Sequence, residues 1–353
     1  MTAEEGATAP HGLLRRHRII VVAVAVALVL VGSVTAYGFY LNSHLGDIGR
    51  FHSRLNAKQR APEPTGHAAK ALNLLLLGTD HGGHGHTIEK ELADGKWTVG
   101  AFRSDTLMIV HIPADRQDAY LVSIPRDSYV HIPGHGKDKI NAAFSLGGPD
   151  LTVRTVEKLT DVYINHVAMI DWSGFKDLTH AIGGVQVTIA KTFTDTHNHI
   201  TWHAGTQTLE GARALQYVRT RYGLANGDFD RIKRQQNFLR AVLHKANSTG
   251  TLTNPLKLDN LLQAITKATT VDDGWTTGDI RQLALDLRGL GNEHMHYLTV
   301  PTRGTREVDP VGDVVVLKKH ECQALWQSLR DDDVQSYLDT YGGDTLQAAD
   351  KVR

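Results

Sequence analysis

The chain has 353 residues, enough for one large domain or two ordinary ones, and its 41% hydrophobic and 22% charged content is that of a globular rather than a disordered protein. Thirty-eight basic residues balance thirty-eight acidic ones. Bulk electrostatic attraction to nucleic acid is therefore not expected, and any positive site must be local.

Ile19 to Leu41 carries no charged side chain and is about 23 residues long, enough to span a bilayer as a helix. Arg15, Arg16 and Arg18 abut it, which places residues 1–18 in the cytoplasm and the bulk of the chain outside. Arg50, Arg54 and Lys58 follow at a distance and blunt the asymmetry. A cleaved signal peptide is the rival reading, with Val34-Thr35-Ala36 as cleavage site, but the apolar stretch exceeds the usual ~7–15 residues of such a segment. The reading adopted is a single-pass anchor in the cell membrane over residues 19–41. Either alternative exports the same domain. Residues 42–70, polar and containing Pro62, Pro64 and Gly66, read as a stalk.

The folded domain is expected over residues 71–332, with 333–353 as a C-terminal tail. The run Leu72 to Leu77 before Gly78 suits a buried central strand, and Thr106 to Ile112 and Ala119 to Ile124 suit two more. Apolar residues at helical spacing follow from Pro149 to Val162. Strand-like segments at His166 to Ile170 and Val185 to Ile189 flank a helix starting near Trp172. Leu209 to Val218, Arg231 to Ala246 and Leu256 to Thr266 read as helices, His294 to Val300 and Val314 to Leu317 as strands completing the same sheet, and His320 to Leu329 as the closing helix. Interleaved strands and helices predict an α/β fold, three-layer α/β/α with a mixed central sheet. Cys322, the only cysteine, excludes an internal disulfide and reads as a small buried hydrophobe beside Trp326.

Four segments place charge where a strand end or a turn exposes it. Asp80 ends the first strand and Asp105, after Arg103, opens the second; carboxylates converging there would suit Mg²⁺, or Mn²⁺, shared with substrate phosphates. Arg126 follows Pro125 at the tip of the third strand, and Lys139 lies on the loop beyond. In Tyr217 to Tyr222, an extended Thr220 would point Arg219 and Arg221 to the same side. On the helix that follows, Asp228, Arg231 and Gln235 share one stripe. Asp228 or Asp230 would also serve as an N-cap, the preferred reading for Asp230. Several guanidinium groups beside two carboxylates call for an anion between them, and pyrophosphate fits. The histidines at 197, 199 and 203 and those at 81, 84 and 86 read as loop residues rather than zinc ligands, and the glycines between 82 and 85 lack any nucleotide-loop spacing.

The segments LLLLGTD (Leu74 to Asp80), FRSDTLMIV (Phe102 to Val110), SIPRD (Ser123 to Asp127), DKINAAF (Asp138 to Phe144), IGGVQVTI (Ile182 to Ile189) and YVRTR followed by DFDRIKRQQ (Asp228 to Gln236) together resemble the LytR-CpsA-Psr family, in family order. The resemblance implies transfer of a glycopolymer from a polyprenyl-pyrophosphate carrier to peptidoglycan, forming a phosphodiester and releasing polyprenyl phosphate. It implies Mg²⁺ on Asp80 and Asp105, and pyrophosphate held by Arg103, Arg126, Lys139, Arg219, Arg221, Arg231 and Gln235. Asp105, Arg126, Arg219, Arg221 and Asp228 would form the catalytic set, with Asp228 orienting an arginine or acting as base, and an apolar pocket would take the lipid chain. One departure stands out: an arginine common in the family two residues after the first aspartate is here Gly82. A pyrophosphatase using water as acceptor, and a non-catalytic membrane regulator sensing lipid-linked intermediates, are the alternatives.

Overall fold

The computed structural model describes residues 46–80, 88–224, 227–246, 254–287 and 290–352. No helix among them is long and apolar enough to cross a membrane. The span expected over residues 19–41 lies outside the described residues, as do Gly82 and the histidines around it.

In chain order come strands β1 (Gly49–Phe51) and β2 (Leu72–Thr79), helix α1 (Ile88–Ala93), strands β3 (Ser104–Ile112), β4 (Ala119–Ile124), β5 (Tyr129–Ile132) and β6 (Gly136–Lys139), and helix α2 (Ala142–Thr160). Strand β7 (His166–Asp171), helix α3 (Trp172–Ala181), strands β8 (Val185–Ile189), β9 (Phe193–Asp195), β10 (Ile200–Trp202) and β11 (Gly205–Leu209), and helices α4 (Gly211–Arg219), α5 (Asp228–Ala246) and α6 (Pro255–Ala268) follow. The chain continues through β12 (Thr269–Asp272), α7 (Thr277–Asp286), β13 (Met295–Thr299), β14 (Thr302–Val308), β15 (Gly312–Leu317), α8 (Lys319–Arg330), α9 (Val334–Tyr341) and β16 (Asp344–Thr345).

Eight strands form one mixed sheet in the order β1-β12-β7-β2-β3-β4-β13-β16. The pairs β2/β7, β4/β13 and β1/β12 are parallel, whereas β2/β3 and β3/β4 are antiparallel. Alternate residues of β2 feed two cores. Leu75 and Leu77 pack with Phe144, Val153 and Val156 of α2 and Trp326 of α8, while Leu74 packs on the other face with Met108, Tyr297 and Leu283 of α7. A strand buried on both faces must be apolar throughout, which is why its sequence shows a run rather than alternation. Helices therefore cover both faces of the sheet. Cys322 is 4% exposed within the first core.

Three expectations need correction. Strand β15 does form, but in a two-stranded ribbon with β14, outside the central sheet; β8 forms as expected and pairs with β11 in a ribbon of its own. Residues 42–70 are not wholly a stalk: β1 is an edge strand of the sheet, and Arg60 and the Ala61 amide bond Glu157 of α2, whose side chain is 2% exposed. Nor is 333–353 a free tail, because α9 packs into the first core, β16 pairs with β13, and Val352 is buried. Edge strands of two or three residues are too short to carry a readable period.

A third cluster joins β8, β11, α4 and α5 around Trp202, Tyr217 and Phe238. Gln236 of α5 ties this layer to the sheet, donating to Ser123 Oγ at 2.9 Å and to the Leu298 carbonyl at 2.8 Å. The charged first turns of α5 are thereby held over the strand ends.

Candidate functional site

The antiparallel pairing of β2 with β3 brings Asp80 and Asp105 to one end of the sheet. Register runs Gly78 to Thr106 and then Thr79 to Ser104, so Asp105 is the extra residue of a β-bulge. A bulge re-aims the side chain of its unpaired residue. Gly78 permits it: a Cβ there would lie 2.9 Å from Thr106 Cβ. Asp80 closes the same corner from β2. Its amide donates to the Arg103 carbonyl at 3.0 Å, and its carboxylate accepts from the Arg103 amide. Burial, and then the negative charge of Asp105, hold the Asp80 carboxyl above the usual aspartate value against the pull of that amide.

Arg126 follows the end of β4 at Pro125. The loop is fixed by Ser128 donating to the Pro125 carbonyl and Asn141 to the Arg126 carbonyl. Its guanidinium is the hub of the cluster: Nη1 donates to Asp105 Oδ1, and Nε lies 3.7 Å from Asp127 Oδ2 and 3.8 Å from Asp228 Oδ1. Burial works against its charge, but Asp105, Asp127 and Asp228 outweigh that and raise its pKa. Asp228 also holds Arg231, with Nη2 to Oδ1 at 2.7 Å.

Thr220, just beyond α4, has φ −58° and ψ 128°, and Arg219 and Arg221 on either side of it both reach the wall of one cavity. The Arg219 guanidinium stacks on Trp172, 3.4 Å from the ring centroid. Burial lowers the pKa of Arg219 and, more deeply placed, of Arg231, with nearby carboxylates opposing. Gln235 lines the same wall and donates to the Val218 carbonyl at 3.4 Å.

The cavity holds about 510 Å³. Each element that lines it changes character along its length: Asp105 gives way to Met108 on β3, Gly78 to Leu76 on β2, and Arg231 and Gln235 to Phe238 and Val242 on α5. One end is thus guanidinium-rich and the other apolar. Three buried polar atoms at the charged end, Arg126 Nε, Arg231 Nε and Asp228 Oδ2, make no hydrogen bond among the described residues. Two of these are donors, and buried donors of that kind suit an anionic ligand.

Not every predicted residue lines the cavity: Asp228 meets it through Arg126 and Arg231, and Asp80 through the corner it shares with Asp105. The Arg103 side chain is exposed and outside the cavity lining; it acts on the corner through its backbone amide and through its charge, both of which favour the Asp80 carboxylate. Lys139 stands outside, 3.8 Å from Asp127 Oδ1. Asp230 is no cap but a buried member of the first turn of α5, because the helix already begins at Asp228. Sequence reasoning missed Trp172, Tyr222, Asn198 and the buried Arg234, and set His197 aside as a loop residue. None of these carried a local signal: Arg234, the most buried of them, sits among Arg231, Lys233, Gln235 and Gln236, so its sequence neighbours gave no hint that it would be enclosed.

No group of three or more His, Cys, Asp and Glu among the described residues is arranged to hold a metal. Two adjacent carboxylates with a raised Asp80 pKa nonetheless fit a hard divalent cation whose remaining oxygens come from a phosphate ligand. Asp80 and Asp105 are the residues that would hold it.

The LytR_cpsA_psr family model matches residues 42–331. The chain is 37% identical over 309 residues to the probable cell wall biosynthesis protein LcpB of Corynebacterium glutamicum, covering 87% of this chain and 69% of that protein. It is 34% identical over 236 residues to the polyisoprenyl-teichoic acid–peptidoglycan teichoic acid transferase TagT of Bacillus subtilis, covering 65% of this chain and 70% of that one. The solved structure of TagT bound to LI-WTA superposes with a TM-score of 0.59 at 26% identity, over 80% of this chain and 99% of the other.

Proposed function

This chain belongs to the LytR_cpsA_psr family, and from that premise we propose that it moves a glycopolymer from a polyprenyl-pyrophosphate carrier to peptidoglycan, forming a phosphodiester and releasing polyprenyl phosphate. The observation that carries the reading is the cavity whose apolar length ends in Arg126, Arg219, Arg221 and Arg231. A ligand with a hydrocarbon chain and a diphosphate head has that distribution of polarity. The relatives named as teichoic acid transferases support a transferase role.

In this reading the lipid lies along Leu76, Met108, Phe238 and Val242, and the diphosphate sits among the guanidinium groups. The acceptor hydroxyl oxygen attacks the phosphorus that bears the glycan. The bond from that phosphorus to the bridging oxygen breaks, and the polyprenyl phosphate leaves with the electron pair. Arg126, Arg219, Arg221 and Arg231 neutralise charge that grows on the leaving oxygens, the main task of a protein in phosphoryl transfer. Asp228 commits Oδ1 to Arg126 and Arg231, while its unpartnered Oδ2 takes the acceptor proton. Asp80 and Asp105 would hold Mg²⁺, which when bound supplies further charge neutralisation at the diphosphate. Residues 19–41 would anchor the chain in the cell membrane, with the catalytic domain outside.

The test is an assay of the purified full chain with a lipid-linked wall polymer and peptidoglycan. Polymer covalently attached to peptidoglycan supports transfer, and free phosphorylated polymer with no attachment would mean a pyrophosphatase. Arg219→Ala and Asp105→Ala are expected to lose attachment by roughly 10²–10³-fold, the scale of a lost charge-stabilising donor. A wild-type chain that binds the lipid-linked polymer but forms neither product would point to a non-catalytic regulator.

A further inference from the structure

At the polar end of the cavity the wall does not stop at the arginines. Tyr222, 39% exposed, stands at the rim beside Arg221, and His197 and Asn198 from the β9–β10 turn line the same cavity, with His197 against Tyr222. The His197 and Tyr222 rings lie 4.9 Å apart at 33°. The Tyr222 hydroxyl accepts from Arg221 Nη2 at 2.7 Å. The rim therefore joins ring surfaces to polar tips and bears no carboxylate of its own.

This rim is built rather than loose. Asp195, fully buried, accepts from the His197 and Asn198 amides at 3.0 Å each and from Asn198 Nδ2 at 2.9 Å, which fixes the turn that carries both residues. Gly223, at φ +75°, packs so closely on β9 that a Cβ would lie 2.0 Å from the Thr194 carbonyl oxygen. Arg234 is buried behind it, bonded to the Thr220 carbonyl with its guanidinium 5.2 Å from the Phe193 ring. Trp202 Nε1 donates to Thr220 Oγ1 at 3.3 Å. The Arg219–Gly223 turn and the β9–β10 hairpin are consequently one unit, and the rim keeps a set position relative to the phosphate-facing arginines. Pre-ordered groups of this kind lose little freedom when a ligand binds.

We propose that Tyr222, His197 and Asn198 form a pyranose-binding rim, which seats a sugar ring next to the diphosphate position. The proposal rests on the lipid-pyrophosphate reading of the same cavity and extends it to the glycan. A pyranose offers C–H faces to rings and hydroxyls to polar tips, and it is neutral, as suits a rim without a free anion or a cation beyond Arg221. Such a ring could be the first sugar of the donor or a sugar of the acceptor glycan.

Binding measurements on the full chain separate these. The probes are undecaprenyl pyrophosphate, the same lipid pyrophosphate bearing one N-acetylhexosamine, and a soluble peptidoglycan glycan fragment. If the donor sugar occupies the rim, the wild type binds the sugar-bearing lipid about five- to tenfold more tightly than the bare one, the size of a stacked ring contact. Tyr222→Ala and His197→Ala bring that ratio toward one, and Tyr222→Phe, which keeps the ring, preserves it. If the acceptor sugar occupies the rim, the ratio starts near one and the affinity for the glycan fragment falls about five- to tenfold in the two alanine variants instead. Unchanged values in both arms for both alanine variants overturn the proposal. Failure of the wild type to bind bare undecaprenyl pyrophosphate is a separate outcome that sinks the parent reading, and the rim's assignment with it.

Discussion

The guanidinium of Arg219 lies over the indole of Trp172, 3.4 Å from the ring centroid, and both side chains line the cavity. Trp172 opens α3 directly after β7, and its N-cap Asp171 holds the Gly174 amide at 2.7 Å, so the ring is placed by a helix start. Burial lowers the pKa of Arg219, and the ring's negative face offsets part of the lost hydration. Stacks of this kind are worth about 0.5–2 kcal/mol. Trp172→Leu should therefore weaken binding of a lipid pyrophosphate by about 2- to 30-fold, with Trp172→Phe in between. A double-mutant cycle with Arg219→Lys checks the coupling, and additive effects would dissociate the two residues.

The paired aspartates make a pH prediction. Asp80 is held above its ordinary 3.8 by burial and by Asp105. A raised pKa means that the folded protein binds this proton more strongly than the unfolded chain does. The stability Asp80 contributes is thus complete below 3.8 and is lost as pH rises through its folded pKa. Proton and cation compete for the carboxylate, so Mg²⁺ affinity should fall as pH drops through the same window. Asp105→Asn removes the like charge and should move the Asp80 titration down. Carboxyl NMR titration with and without Mg²⁺ reads both, and an upward move in the variant would contradict the electrostatic account.

The bulge at Asp105 depends on a missing side chain. In Gly78→Ala the new methyl would meet Thr106 Cβ at 2.9 Å, inside a tightly packed strand pair. Overpacking of this kind costs about 1–3 kcal/mol. Denaturant unfolding should show that loss, and transfer activity should fall with it because the strain acts on the residue beside Asp105. Wild-type stability and activity in this variant would show that the bulge does not need glycine.

Far from the cavity, Asp332 closes a buried polar network. It accepts from the Ala114 amide at 3.1 Å and lies 3.0 Å from His111 Nε2, and both side chains are at most 1% exposed. Burial opposes the Asp332 charge, but His111 and the Ala114 amide outweigh it and lower the pKa. Its contribution is complete above 3.8 and is lost as pH falls through the lowered folded value. Asp332→Ala should cost about 3–5 kcal/mol near neutral pH, the price of breaking a buried pair. Equilibrium unfolding measures it, and a loss below about 1 kcal/mol would mean that the network relaxes to admit water.

Much of this fold was legible because burial imposes local patterns. The continuous apolar run of β2, the helical spacing of α2 and the arginine-flanked Thr220 all appear within a few residues of chain. Asp105 and Arg126 were visible for the same reason, as charges at strand ends where only a ligand or solvent would tolerate them. Lys139 and Arg103 share that local signature but stand outside the cavity. Loop length and strand-end direction, which local pattern does not encode, decide whether a cation turns inward.

The chain's order of residues, by itself, determined the set of charged strand ends and the apolar faces that bury the sheet, since both follow from side-chain periodicity against water. Tertiary structure alone decided that Asp105 bulges toward Arg126, that Trp172 underlies Arg219, and that a hairpin beginning at Phe193 meets the turn at Gly223. Each is a contact between segments about twenty or more residues apart or an offset in strand register. Such features are selected by how whole layers pack, so no local stretch of sequence records them.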